Sequence, residues 1–106
     1  MMKTLATTAA SAALLMMSGL TQAADGMALA QKNACMSCHG VDKKIVGPAF
    51  KDVAKKYADD KGAQARLAAK VKAGGKGVWG EIPMPPNPQV SPADTSTIVA
   101  WVLSLK

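Results

Sequence analysis

The chain is 106 residues long, and its first 23 read as a removable export signal, so what remains can build only one small domain. Its formal net charge of +6 comes from lysines spread along the chain, without the clustered basic stripe or interleaved aromatics that nucleic-acid binding uses. Only four aromatic residues, Phe50, Tyr57, Trp79 and Trp101, are available to fill a core. They occupy too little volume, which predicts that something other than side chains sits at the centre.

At the N-terminus Lys3 supplies a positive region, Leu5 through Met17 is apolar and uncharged, and Thr21-Gln22-Ala23 places small residues where a signal peptidase reads. Cleavage is expected after Ala23, with the bond after Ala24 as its rival, and the expected destination is the periplasm. A retained membrane anchor fits less well, because the apolar run is shorter than the roughly 20 residues a spanning helix needs. The 106 residues less the first 23 leave 83, spanning 24–106, a size at which an apolar core alone gives little net stability. Removing Lys3 leaves 12 cationic against 7 acidic side chains, a formal +5.

The residues from Asp25 to Ala34 are helix-compatible, with Asp25 available as an N-cap, and lead directly into Cys35. Gly40 to Gly47 reads as a loop closed by Pro48. Phe50, Val53, Ala54 and Tyr57 recur at helical spacing opposite Lys51, Asp52, Lys55 and Lys56, which predicts a helix ending around Asp59 to Gly62. A further helix is expected from Ala63 to Ala73, with Leu67 and Val71 on one side and Gly74-Gly75 as its stop. The segment from Gly77 to Pro88 holds four prolines and reads as a stiff extended loop. Ser91-Pro92-Ala93-Asp94 is a helix start, and Ile98, Trp101, Val102 and Leu105 mark its buried face. The expected fold class is all-α.

Cys35-Met36-Ser37-Cys38-His39 is C-x-x-C-H, the attachment sequence for haem c. On a helical turn, residues three apart face the same side, so both thiols can reach one edge of a porphyrin while His39 comes under the iron. A structural zinc site fails on ligand count, since no cysteine or histidine exists beyond these three. A thioredoxin-like dithiol normally sits in a βαβ context that the chain lacks. A plain disulfide would close too short a loop to stabilise a domain of this size.

With His39 the single histidine, the second axial position falls to Met, Lys, water or nothing. Met27 and Met36 are tied to the His39 side. Met84, held between Pro83, Pro85 and Pro86, is the favoured candidate against a role as core filler, because His/Met is the pairing cytochromes c use to raise the potential. Two ionised propionates would bring the charge of the 83-residue form to about +3.

The chain resembles the small bacterial class I cytochromes c of the cytochrome c-551 type, also called cytochrome c8. The resemblance runs from Asp25 to Lys106. It is carried by Cys35-Met36-Ser37-Cys38-His39, Val46-Gly47-Pro48-Ala49-Phe50-Lys51-Asp52-Val53, Gly77-Val78-Trp79-Gly80, Ile82-Pro83-Met84-Pro85-Pro86-Asn87 and Trp101-Val102-Leu103-Ser104. It implies about four helices around one covalently attached haem, with Cys35 and Cys38 as thioether anchors and His39 and Met84 as axial ligands. It also implies that the Pro48 carbonyl accepts from His39, that Asn87 lies by the Met84 sulfur, and that Trp79 donates to a propionate. Lys70 stands where some relatives carry an arginine near that propionate, and a lysine there acts as a point charge without the bidentate fork. Relatives tend to place a bulky aromatic in the first helix where this chain has Ala30, a gap for Leu29, Met27 or a shifted Trp101 to fill.

The expected function is single-electron transfer without substrate chemistry, since a six-coordinate iron has no open position and no acid/base or nucleophile constellation exists elsewhere. Lys32, Lys43, Lys44 and Lys72 are expected to ring the exposed haem edge and steer acidic partners. The resemblance suggests a nitrite reductase, a terminal oxidase, a cytochrome c peroxidase or a blue copper protein as partners, with a bc1-type complex upstream. A monomer is expected. Two alternatives stay open on the sequence: an open-site haem sensor or enzyme with Met84 as packing, and a haem-free thiol oxidoreductase using Cys35 and Cys38.

Overall fold

The computed structural model describes residues 25–106; the expected signal segment lies outside the described residues. Four α-helices are present among them: α1 over 25–32, α2 Phe50–Lys56, α3 Ala63–Ala73 and α4 Pro92–Leu103, with a short 3-10 turn Cys35–Ser37 between α1 and α2. The extended contacts among the described residues are two isolated bridges, His39 with Lys44 and Gly75 with Met84.

Asp25 is itself helical, so it lies inside α1 and is not the cap its sequence position suggests. At the other end of α1 the Asn33 amide and its backbone N–H both donate to the Leu29 carbonyl. Ala34 follows at φ 64°, a left-handed conformation that costs an alanine roughly 1–2 kcal/mol. That reversal turns the chain into the Cys35–Ser37 turn.

Helix α2 ends at Lys56, earlier than its apolar stripe suggests. Tyr57 leaves the helical region at φ −106°, ψ 17°, and the chain passes into turns stitched by Asp60. The Asp60 carboxylate accepts from the Gly62 N–H and pairs with Arg66 on the first turns of α3, a local arrangement that competes with helix continuation. Helix α3 has the boundaries its sequence implies, with Gly74 as its cap. In α4 the Ser91 hydroxyl accepts from the Asp94 N–H at 3.1 Å with Pro92 at the first helical position.

The core gathers on α4. Ile98, Trp101 and Val102 are buried with Ala30, Phe50, Val53 and Val90, and α4 packs on both α2 and α3. Trp101 meets Phe50 edge to face, ring centroids 5.5 Å apart. The gap expected at Ala30 is closed by close approach: a Cβ on Gly26 would stand 2.2 Å from the Trp101 Cβ, so α1 lies directly on the indole. Leu29 packs at the edge of this core, whereas Met27 is 40% exposed and takes no part in it. No helix among the described residues is long and apolar enough to cross a membrane.

Candidate functional site

The site begins at the Cys35–Ser37 turn, where the N–H groups of Cys38 and His39 both donate to the Cys35 carbonyl. No disulfide joins Cys35 to Cys38. Burial pushes the Cys35 thiol above its usual range, its own backbone hydrogen bond works against that, and the neighbouring Cys38 adds to it.

The loop after His39 folds back on this turn. Val46 and Gly47 both donate to the Cys38 carbonyl, at 3.0 and 2.7 Å, and Phe50 and Lys51 donate to Gly40 and Val41. A Lys51–Asp42 ion pair at 2.6 Å closes the far side. The result places the Pro48 carbonyl oxygen 2.7 Å from His39 Nδ1. A carbonyl can only accept, so Nδ1 carries the proton, and in the neutral imidazole this leaves the lone pair on Nε2.

Gly47 and Phe50, which the sequence placed in a motif of the resemblance without assigning them a role at this site, complete the seat of this ring. Phe50 stacks on it with centroids 4.7 Å apart and planes 19° apart. Gly47 lies so close that a Cβ there would stand 2.6 Å from His39 Cε1. The adjacency of Gly47 to Pro48 was the signal available for this contact, but it does not say which side chain the glycine meets.

His39 opens onto a cleft of about 430 Å³, within the roughly 300–1,000 Å³ of small-molecule and cofactor sites. Met84, Leu67, Lys70 and Trp79 line it, and His39, Leu67, Lys70 and Met84 also line an adjoining apolar recess of about 80 Å³ that reaches Cys35. Val46, Val78, Trp79 and Ile82, between 42% and 66% exposed, all border the larger space. This apolar part of the lining suits a largely apolar group better than water.

Other positions singled out in the sequence fall around it unevenly. Trp79 borders the cleft with the Lys56 ammonium 5.6 Å from its ring centroid, and the same ammonium lies 5.9 Å from the Tyr57 ring. Lys70 borders it by passing over Gly75, where a Cβ would come within 3.2 Å of Lys70 Cε. The Asn87 amide nitrogen donates to the Val71 and Pro85 carbonyls, at 3.2 and 3.1 Å, and so ties the loop that carries Met84 to α3. Of Lys32, Lys43, Lys44 and Lys72, all exposed, only Lys44 borders the cleft; Lys70 and Lys76 join it there, with Asp52 and Glu81.

Among the described residues no group of three or more His, Cys, Asp or Glu could hold a bare metal ion. One imidazole nitrogen and one thioether on a shared apolar cleft, beside a C-x-x-C-H turn, instead suit an iron that arrives inside a porphyrin. The fold and this donor set define a small all-α haem-binding domain.

The chain belongs to the cytochrome c family, whose family model matches residues 23–106. It is 55% identical to cytochrome c-552 of Nitrosomonas europaea over 103 residues, 96% of this chain and 95% of that one. It is 51% identical to cytochrome c-551 of Pseudomonas aeruginosa, over 79% of this chain and 80% of that one. The crystal structure of the Nitrosomonas europaea cytochrome c552 superimposes with a TM-score of 0.73 at 55% identity, covering 76% of this chain and 99% of that chain. The protein is thus a small class I cytochrome of the c-551 type, a monohaem electron carrier with one covalently bound haem c per chain.

Proposed function

We propose that the protein is exported, cleaved after Ala23, and works in the periplasm as a monomer that passes single electrons between larger redox proteins. In this reading Cys35 and Cys38 carry the thioether bonds, and His39 Nε2 and Met84 Sδ are the axial donors. Pro48, Trp79, Lys70 and Asn87 tune the surroundings, Asn87 by fixing the loop next to Met84. The observation that carries the reading is that His39 and Met84 border one cleft while the Pro48 carbonyl engages His39 Nδ1, which leaves Nε2 as the donor.

Bound haem supplies a one-electron ferrous/ferric couple. The chain's own contribution is to hold the ligands through that change. Pro48 orients the imidazole, Phe50 and Gly47 confine the ring, and the proline-rich loop presents the thioether. With His39 and Met84 both donating to the iron, no position would be left for substrate, which supports a carrier rather than an enzyme. The partners are redox proteins with acidic docking surfaces, of the nitrite reductase, terminal oxidase, peroxidase, blue copper or bc1-type classes. The positive charge supports this choice, as does the Lys44, Lys70 and Lys76 side of the cleft. Export is supported by the sequence of the first 23 residues and by the start of the family match at residue 23.

The test is an absorption spectrum of periplasmic protein, reduced and oxidised and extended into the near-infrared, with the mass of the mature chain. Sharp reduced α and β bands, a weak ferric thioether charge-transfer band and a mass that includes haem on a chain starting at Ala24 are expected. A haem spectrum lacking that band would move Met84 to packing and return the open-site reading.

A further inference from the structure

The segment Pro83-Met84-Pro85-Pro86-Asn87-Pro88 contains four prolines, so Met84 and Asn87 are its only backbone N–H donors. Both are spent on the same place. Met84 donates to the Gly75 carbonyl at 2.8 Å, and Asn87 donates to the Val71 and Lys72 carbonyls at 3.1 and 3.2 Å. The Gly75 N–H answers to the Met84 carbonyl at 3.0 Å, and the Asn87 side chain adds a bond to Val71 O at 3.2 Å. Proline rings make this loop stiff, but stiffness does not fix where a loop stands. What fixes it here is the C-terminal end of α3.

That end is shaped for the purpose by two glycines. Gly74 has φ +75°, and a Cβ on it would lie 2.5 Å from the Met84 carbonyl oxygen and 2.8 Å from the Pro86 nitrogen, both backbone atoms that cannot swing aside. Gly75 has φ +156°, and a Cβ there would meet only Lys70, 3.2 Å from its Cε near the flexible end of that side chain. Gly74 is therefore demanding on two counts, conformation and space, and Gly75 is the milder position.

We propose that Gly74 and Gly75 are positioning residues for the axial thioether: the end of α3 is the seat on which Met84 is set, and its closeness determines how firmly Met84 holds its place. The proposal rests on Met84 being the axial donor. In Gly74→Ala the Cβ pushes the Met84–Pro86 backbone away from α3, so the thioether competes less well with added ligands.

The experiment uses the haem-loaded protein. The ferric near-infrared thioether band, the affinity for cyanide and amide hydrogen exchange at Met84 and Asn87 are measured for the parent, Gly74→Ala and Gly75→Ala. Gly26→Ala serves as a control, because its Cβ would strike Trp101 at 2.2 Å and destabilise the α1–α4 contact, away from this loop. The parent should show the band and slow exchange at both amides. Gly74→Ala should weaken the band and bind cyanide roughly tenfold more tightly, the change that follows from the cost of an alanine at positive φ. Gly75→Ala should change in the same direction by less, and Gly26→Ala should lose stability with its band and cyanide affinity unchanged.

A parent without the band would remove Met84 as ligand and with it the basis of the proposal. A parent with the band, but with free exchange at the two amides, would overturn the seat alone. So would a Gly74→Ala variant with unchanged cyanide affinity, or a Gly26→Ala variant that shifts as far as Gly74→Ala. Should Gly74→Ala fail to fold, parent exchange and Gly75→Ala decide the matter.

Discussion

His39 Nδ1 donates to the Pro48 carbonyl at 2.7 Å, across a loop that turns back on the Cys35–Ser37 segment. The bond lets one ring nitrogen act as a donor to a metal while the other is locked, and Gly47 supplies the clearance. In Gly47→Ala the new Cβ would lie 2.6 Å from His39 Cε1 and 3.0 Å from Nδ1, so the ring must move off Pro48. We expect a loss of about 1–3 kcal/mol in denaturant unfolding, typical of overpacking. Weakening the hydrogen bond makes the imidazole a poorer donor, favours the ferric state less and so raises the reduction potential. An unchanged potential together with unchanged stability would show that the ring tolerates the methyl group.

Met84→Ala tests the opposite side of the cleft. Loss of the thioether should lower the potential by roughly 100 mV or more, inside the ~0.8 V range that axial ligands span. It should also let the ferrous protein bind carbon monoxide, while the haem stays attached through Cys35 and Cys38. Spectroelectrochemistry and carbon monoxide titration read both effects, and a parent-like spectrum would exclude Met84 as ligand.

Trp101 is 8% exposed and packs between Gly26 of α1 and Phe50. Trp101→Ala should cost about 3–5 kcal/mol, measured by denaturant unfolding of the haem-loaded protein. A double-mutant cycle with Phe50→Leu should return a coupling of roughly 0.5–1.5 kcal/mol. Because Phe50 also stacks on His39, Phe50→Leu should shift the potential whereas Trp101→Ala leaves it nearly unchanged.

Electron transfer to an acidic partner should slow by about tenfold as ionic strength rises from ~0.01 to ~0.15 M, a range in which the screening length falls from roughly 30 to 8 Å. Stopped-flow kinetics would follow this, and neutralising Lys44, Lys70 and Lys76 together should flatten the salt dependence. A rate insensitive to salt in the parent would argue for an apolar docking surface instead.

Features that depend on neighbours in the chain were legible without a structure. The C-x-x-C-H turn, the Ser91-Pro92-Asp94 helix start and the bounds of α3 each arise from residues within about one helical turn of one another, where spacing alone dictates geometry. His39, Met84 and Trp79, which stand in the quoted motifs, and Lys70, which the resemblance singled out, all line one cleft. The early end of α2 was not legible, because Asp60 binds Gly62 and Arg66 in a turn that apolar periodicity does not register. Nor was the duty of Asn87, whose amide reaches the Val71 carbonyl 16 residues away.

The sequence by itself determined that the chain is all-α and carries a single C-x-x-C-H, and it singled out one histidine and one proline-held methionine as the candidate donors. Only the tertiary structure decided how those donors are held: Pro48 and Gly47 against His39, the end of α3 beneath Met84, and Gly26 against Trp101. Residue spacing carries side-chain direction within an element. Which carbonyl a distant N–H finds, and which glycine must lack a Cβ, depends on how the elements pack once the chain has closed on itself.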